Sequence, residues 1–121
     1  EHFFVIDSGA GSTRNLQSAN MPLNRLDGVL VTHFHSDHIA ELYEVNLISW
    51  VGGRPEPMKV YGPKGIKKVI SGINDTYELD VQYRTEHHGK AFMPEKLAVL
   101  QPVRLDADEA LTIGSLKITS F

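Results

Sequence analysis

The amino-acid sequence predicts an α/β layered sandwich, and three observations carry that expectation. Gly28-Val29-Leu30-Val31-Thr32 is a continuous apolar run, the pattern of a strand buried on both faces of a layered sheet. From Asp37 to Trp50, apolar residues recur at Ile39, Leu42, Val45 and Leu47 or Ile48, the three-to-four spacing of an amphipathic helix. Leu111-Thr112-Ile113 and Leu116-Lys117-Ile118 flank Gly114-Ser115, a Gly-first turn that signals a hairpin. Strands that alternate with helices and close on a hairpin fit neither an all-α nor an all-β fold.

The remaining elements follow in chain order. Phe3-Phe4-Val5-Ile6 reads as an apolar strand, and Asp7-Ser8-Gly9-Ala10-Gly11-Ser12 as a turn-rich loop leading to one or two helical turns around Leu16. The helix that begins at Asp37 is expected to stop at Gly52-Gly53. Arg54-Pro55-Glu56-Pro57 is a stiff turn, and Met58-Lys59-Val60-Tyr61 a short strand closed by Gly62-Pro63. Ile66, Val69, Ile70 and Ile73 mark a second helix, expected to break near Gly72 or Asn74. Asp80 to Pro94 shows no convincing period and is expected to be an irregular insertion or surface loop. Apolar strands at both ends of residues 1–121 lead to the expectation of a single, incomplete domain, a segment of a longer protein.

Composition narrows the function classes. Twelve Lys plus Arg against fifteen Asp plus Glu give a net charge of −3, too balanced for binding that rests mainly on nucleic-acid phosphates. The apolar runs are too short for a membrane span or a signal-peptide core, and the compartment stays open. With no cysteine, any metal must be held by His and carboxylate.

His33-Phe34-His35-Ser36-Asp37-His38 places three of the six histidines and an Asp within six residues, where a buried strand ends and a helix begins. Residues two apart in an extended segment point the same way, so His33 and His35 can offer imidazole nitrogens to one ion. Asp37 and His38 aim from the helix start toward a neighbouring spot. Two such pairs suit two zinc-like ions a few ångströms apart, and the same donors accept manganese, iron or cobalt. A lone His at a strand end is ordinarily solvated, but no folding argument asks for four such residues in this spacing.

Thr32-His33-Phe34-His35-Ser36-Asp37-His38, behind an apolar strand and with Asp7-Ser8-Gly9 about 25 residues upstream, resembles the His-x-His-x-Asp-His motif of the metallo-β-lactamase superfamily. Tyr61-Gly62-Pro63 followed by a helix is similar to the branch containing ribonuclease Z, phosphodiesterases and arylsulfatase-like hydrolases. The resemblance implies an αββα sandwich of two similar halves, with mostly the first half in this chain. It implies that His33 and His35 ligate a first zinc and Asp37 and His38 a second, with Asp7 holding the loop by hydrogen bonds and not ligating. The family's remaining ligands would lie downstream of Phe121.

The implied activity is hydrolysis of phosphate or sulfate esters by a metal-bound hydroxide that Asp37 both ligates and orients. Ser36 stands where ribonuclease Z usually has Gly, and Ala40-Glu41-Leu42-Tyr43-Glu44 replaces its Gly-Leu-Pro-Gly-Leu-like run. The expected substrate is therefore a small ester, with nucleic acid the less favoured choice. Because a catalytic zinc takes three protein ligands, the alternative is a catalytically incomplete metal-binding half-domain that needs a second chain, such as another copy, or the missing C-terminal half.

Other motifs read more plainly. Gly9-Ala10-Gly11-Ser12-Thr13 lacks the Lys-Ser/Thr of a phosphate loop and the third Gly of a dinucleotide fingerprint, which leaves a tight turn. Ser36 cannot form a catalytic triad with its own sequence neighbours. Lys64, Lys67 and Lys68 read as a solvated helix face, and His87-His88 as a solvated loop pair.

Overall fold

The structure is a computed structural model that describes residues 1–121. Its elements run β1 (Phe4–Ile6), α1 (Ser12–Ser18), β2 (Gly28–Leu30), α2 (Ser36–Ile39), α3 (Leu42–Val51), β3 (Lys59–Gly62), α4 (Ile66–His88), β4 (Gln101–Arg104), β5 (Ala110–Ile113) and β6 (Leu116–Thr119). Short 3₁₀ turns occupy Leu23–Arg25 and Glu95–Leu97. No helix is long and apolar enough to cross a membrane.

Strands β1 to β4 form one parallel sheet in sequence order, with Val5 opposite Val29, Val29 opposite Val60 and Val60 opposite Pro102. Right-handed crossovers that all step in one direction place every connecting helix on the same face. Val29 and Val60 accordingly lie fully buried beneath Leu42, Val45, Ile66 and Ile70. The alternate residues Ile6, Leu30 and Tyr61 share the other face, where Ile6 is 69% exposed. The strand expected to be buried on both faces is thus covered by helices on one. The chain thus has one helical layer on one face of a four-stranded sheet, with a separate two-stranded hairpin, consistent with the first half of an αββα sandwich.

Strand β4 has no counterpart among the expected elements, because Pro102 interrupts it. It is an edge strand, and Gln101 and Leu105 donate their backbone N–H groups to Met58 and Gly62 of the neighbouring segment. Residues alternate along a strand, so Pro102 turns its donorless nitrogen to the open edge. The hairpin of β5 and β6 forms as expected around Gly114, whose φ of 56° takes the positive-φ turn position.

The helix expected over Asp37 to Trp50 is two helices, α2 and α3. In a continuous helix the Glu41 N–H would bond the Asp37 carbonyl; here it donates to Ser8 O at 2.8 Å, while Ser8 N–H donates to His38 O at 2.8 Å. A tertiary pairing with the 7–13 loop replaces the helical bond and breaks the helix. Gly9 makes the approach possible, since a Cβ there would stand 2.1 Å from the Asp37 carbonyl oxygen.

Helix α4 runs through both the expected break at Gly72 and the expected loop from Asp80, reaching His88 over 23 residues. Its inward stripe of Ile66, Ile70, Ile73, Tyr77, Val81 and Thr85 keeps three-to-four spacing throughout, and Gly72 lies on the solvent side. Asn74, which has the character of a breaker, exchanges two side-chain hydrogen bonds with the backbone of Leu100. A second apolar cluster of Tyr43, Leu47, Trp50 and Met93 packs against Tyr77 and Val81, with the Tyr43 and Tyr77 rings stacked 3.7 Å apart. Gly72→Ala is expected to stabilise the protein by about 0.5–1 kcal/mol, because the new methyl meets no atom within 4 Å and helical backbone entropy is saved. Urea unfolding with an unchanged or lowered midpoint would contradict a continuous helix here.

Candidate metal centre

The His33–His38 segment leaves β2 at the carboxyl end of the parallel sheet, the end at which open α/β sheets bind ligands. The chain stays extended to His35, at φ −65° and ψ 145°, and then enters α2. His33 Nε2 and His35 Nδ1 are 3.0 Å apart, while His38 Nε2 and Asp37 Oδ2 are 3.6 Å apart. The His33 and His38 rings lie side by side with centroids 4.1 Å apart, which joins the two pairs. The structure therefore sets the four expected ligands as two close pairs, His33 with His35 and Asp37 with His38, and no three His, Asp or Glu side chains converge in metal-binding geometry.

The pairs fit zinc. Two bonds of about 2.0–2.1 Å at the tetrahedral angle set their nitrogens about 3.3 Å apart, close to the observed His33–His35 spacing. Asp37, with a side chain 79% exposed, faces solvent and can reach an ion or a substrate.

Asp7 lies behind these donors. Its carboxylate accepts the Thr32 N–H at 2.8 Å, the Thr32 hydroxyl at 2.8 Å and His38 Nδ1–H at 2.7 Å. Because the Thr32 hydroxyl spends its proton on Asp7, its oxygen accepts from His33 Nδ1 at 3.0 Å. Both His33 and His38 thus carry their protons on Nδ1 and present Nε2 lone pairs outward, which is the state a metal requires. The Asp7 hydrogen bond raises the His38 pKa above its ordinary value, against a smaller opposing effect of burial. Burial pushes the Asp7 carboxyl up, but the Thr32 and His38 hydrogen bonds outweigh it and hold the carboxyl below its ordinary value. The role of Thr32 is not legible in the sequence, where it is only the residue before the first His.

One other expectation settles differently. His87 and His88, expected as a loop pair, form the last turn of α4. That helix starts beside the site, where Phe34 contacts Gly65, and ends about 33 Å along its axis. These histidines therefore stand away from the metal pairs. Lys64, Lys67 and Lys68 are exposed at the α4 start, on the same end of the sheet as the His cluster.

Asp7→Asn is expected to weaken zinc binding by the intact protein about 10–100-fold, since the amide cannot accept from all three donors. Competition against a chromophoric chelator measures it, and wild-type affinity in the variant would remove Asp7 from the site.

A parallel-sheet half-sandwich with a His-rich segment at its carboxyl end is the arrangement of one half of an αββα protein. The chain belongs to the metallo-β-lactamase superfamily: its sequence matches the family described as "Metallo-beta-lactamase superfamily" over residues 1–111. It is 34% identical over 99 residues to the ribonuclease Z of Mycobacterium marinum, covering 79% of this chain and 36% of that protein. It is 38% identical over 74 residues to a putative ribonuclease Z of Mycobacterium tuberculosis, covering 59% of this chain and 33% of that protein. The chain thus spans about a third of the length of these relatives. In fold it is similar to the crystal structure of the metallo-beta-lactamase fold protein YhfI from Bacillus subtilis, with a TM-score of 0.61, 21% identity, and coverage of 96% of this chain and 38% of that one. The expectation that favoured a small ester over nucleic acid finds no support among these relatives, which carry the name of a ribonuclease.

Proposed function

We propose that this chain forms part of the dinuclear metal centre of a hydrolase that cleaves phosphodiesters, with RNA as the substrate class. The observation that carries the reading is the arrangement of His33 Nε2 and His35 Nδ1, and of Asp37 and His38 Nε2, as two donor pairs with Asp7 and Thr32 fixing the tautomers. His33 with His35 and Asp37 with His38 would each hold one zinc ion, and the bound metal would supply the chemistry of a hydroxide nucleophile near neutral pH and a polarised ester oxygen. Manganese, iron or cobalt suit the same donors.

The chain's own residues then have distinct tasks. His33 and His35 would hold one ion, and Asp37 and His38 the other. Asp37, the one carboxylate among the four donors, would also accept a hydrogen bond from the attacking water and orient it. Asp7 keeps the His38 proton on Nδ1 and stabilises any positive charge that gathers on that ring. The exposed lysines at the start of α4 favour a polyanionic substrate at this end of the sheet. Each pair gives its ion two ligands where a catalytic zinc takes three, so full occupancy draws on donors outside this segment.

The test takes the intact protein, purified without added metal, and measures zinc per chain together with cleavage of a short RNA, bis(p-nitrophenyl) phosphate and p-nitrophenyl sulfate. About two ions per chain and chelator-sensitive cleavage of the RNA and the phosphodiester are expected. Turnover of the sulfate ester with inert RNA would overturn the substrate class, and a metal-free, inactive protein would overturn the hydrolase reading.

A further inference from the structure

We propose that Glu41 is a positioning residue of the metal centre, its carboxylate clamping the loop that carries Asp7 onto the α2–α3 joint that carries Asp37 and His38. The inference rests on the metal reading above and adds a residue outside the ligand set.

Helix α1 has no cap of its own. Its N-cap is Gly11, at φ 89°, with no side chain to accept the free N–H groups of the first turn. Glu41 serves them from 28 to 30 residues away: Oε1 accepts the Gly11 N–H at 2.7 Å, and Oε2 accepts the Thr13 N–H at 2.9 Å and the Thr13 hydroxyl. The Gly9-Ala10-Gly11-Ser12-Thr13 turn, which superficially resembles a phosphate-cradling loop, thus directs donors at a carboxylate of its own chain. The Thr13 hydroxyl first, and the two amides after it, hold the Glu41 carboxyl down at about 2, so the clamp stays charged throughout the range in which histidines titrate.

The grip falls on both sides of the site. At the backbone, Glu41 N–H and His38 C=O bracket Ser8, the residue after Asp7. At the side chain, Glu41 fixes the other end of the same loop at Gly11 and Thr13. Asp7 itself sits at φ 56°, a left-handed conformation uncommon outside glycine, although Asp adopts it more readily than most residues. Freeing the 8–13 loop gives Asp7 a route back to an ordinary conformation and away from His38 Nδ1. Glu41 thereby acts on the metal through Asp7 and His38 without touching it.

The experiment uses the intact protein and compares Glu41→Gln with wild type and with Glu44→Gln, an exposed acid in the first turn of α3. Glutamine keeps the length but sets an NH2 group against N–H donors. Two readouts are taken: the zinc dissociation constant, and ¹⁵N NMR of the imidazoles in metal-free protein, which reports the His38 tautomer. Glu41→Gln is expected to keep the wild-type far-UV circular dichroism, weaken zinc about 10–100-fold and mix the His38 tautomers, with Glu44→Gln unchanged. Wild-type values for both readouts in Glu41→Gln overturn the proposal. Should Glu41→Gln fail to fold, Thr13→Ala removes one of the three donors from the other side and must move both readouts the same way, less far. A wild-type protein that takes up no zinc would count against the metal reading, and the tautomer would still decide the role of Glu41.

Discussion

Replacing His35 with alanine is expected to abolish metal-dependent phosphodiester hydrolysis by the intact protein while leaving the fold in place. The side chain contributes nothing to either apolar cluster, so its removal costs little stability. Its Nδ1 stands 3.0 Å from His33 Nε2, and in the proposed centre these two nitrogens are the segment's whole contribution to one ion. Losing one leaves a single donor, too few to hold zinc against water. Elemental analysis should show one ion fewer per chain, turnover should drop below detection, and the urea midpoint should stay at the wild-type value. Unchanged turnover in His35→Ala would sink the assignment of the His33–His35 pair.

Arg54→Ala is expected to destabilise the protein by about 3 kcal/mol without touching the site. Arg54 is only 3% exposed and has no carboxylate partner. Its guanidinium instead donates to the Glu56 carbonyl at 2.7 Å, to Asn46 Oδ1 at 3.0 Å, to Ser49 Oγ and to the Leu97 carbonyl. Asn46 passes the network on, its Nδ2 donating to the Ala98 carbonyl at 2.7 Å. One side chain thus ties the end of α3 to the turn before β3 and to the segment before β4. Burial lowers the guanidinium pKa to about 10, which leaves it charged at neutral pH. Truncation strands several buried acceptors at once, and Arg54→Lys cannot rescue them because an ammonium lacks the planar fork. Urea unfolding measures the loss; a change under about 1 kcal/mol would show that water replaces the guanidinium.

Elements that follow from local pattern are legible in the residues themselves. The apolar run at Gly28–Thr32 locates β2, and the alternation of Leu116–Thr119 locates β6, because strand periodicity is written in adjacent residues. The ligand cluster is legible for a similar reason: its four donors are consecutive or nearly so, and a turn from strand to helix brings them together in any layered α/β fold. Helix α4 is obscured at Gly72 and Asn74, which have the local character of breakers, although the stripe through Tyr77, Val81 and Thr85 continues past them. Strand β4 is hidden because Pro102 is tolerated only at an edge, and edge position is a property of the assembled sheet.

By itself, then, the sequence determined the fold class, the hairpin and the identity of the candidate ligands, all of which depend on contacts within a few residues. The tertiary structure alone decided that all helices lie on one face of the sheet, that the helix after His38 breaks at Glu41, and that Thr32 and Glu41 join Asp7 behind the candidate ligands. The common face follows from crossover handedness, and the other outcomes from hydrogen bonds spanning 25 to 33 residues: Ser8 to Glu41 and His38, Thr32 and His38 to Asp7, and Gly11 and Thr13 to Glu41. A polar side chain in a sequence carries no mark of which distant donor it will meet. Only packing of the 7–13 loop against the α2–α3 joint selects that partner, and with it the imidazole tautomers that face the metal.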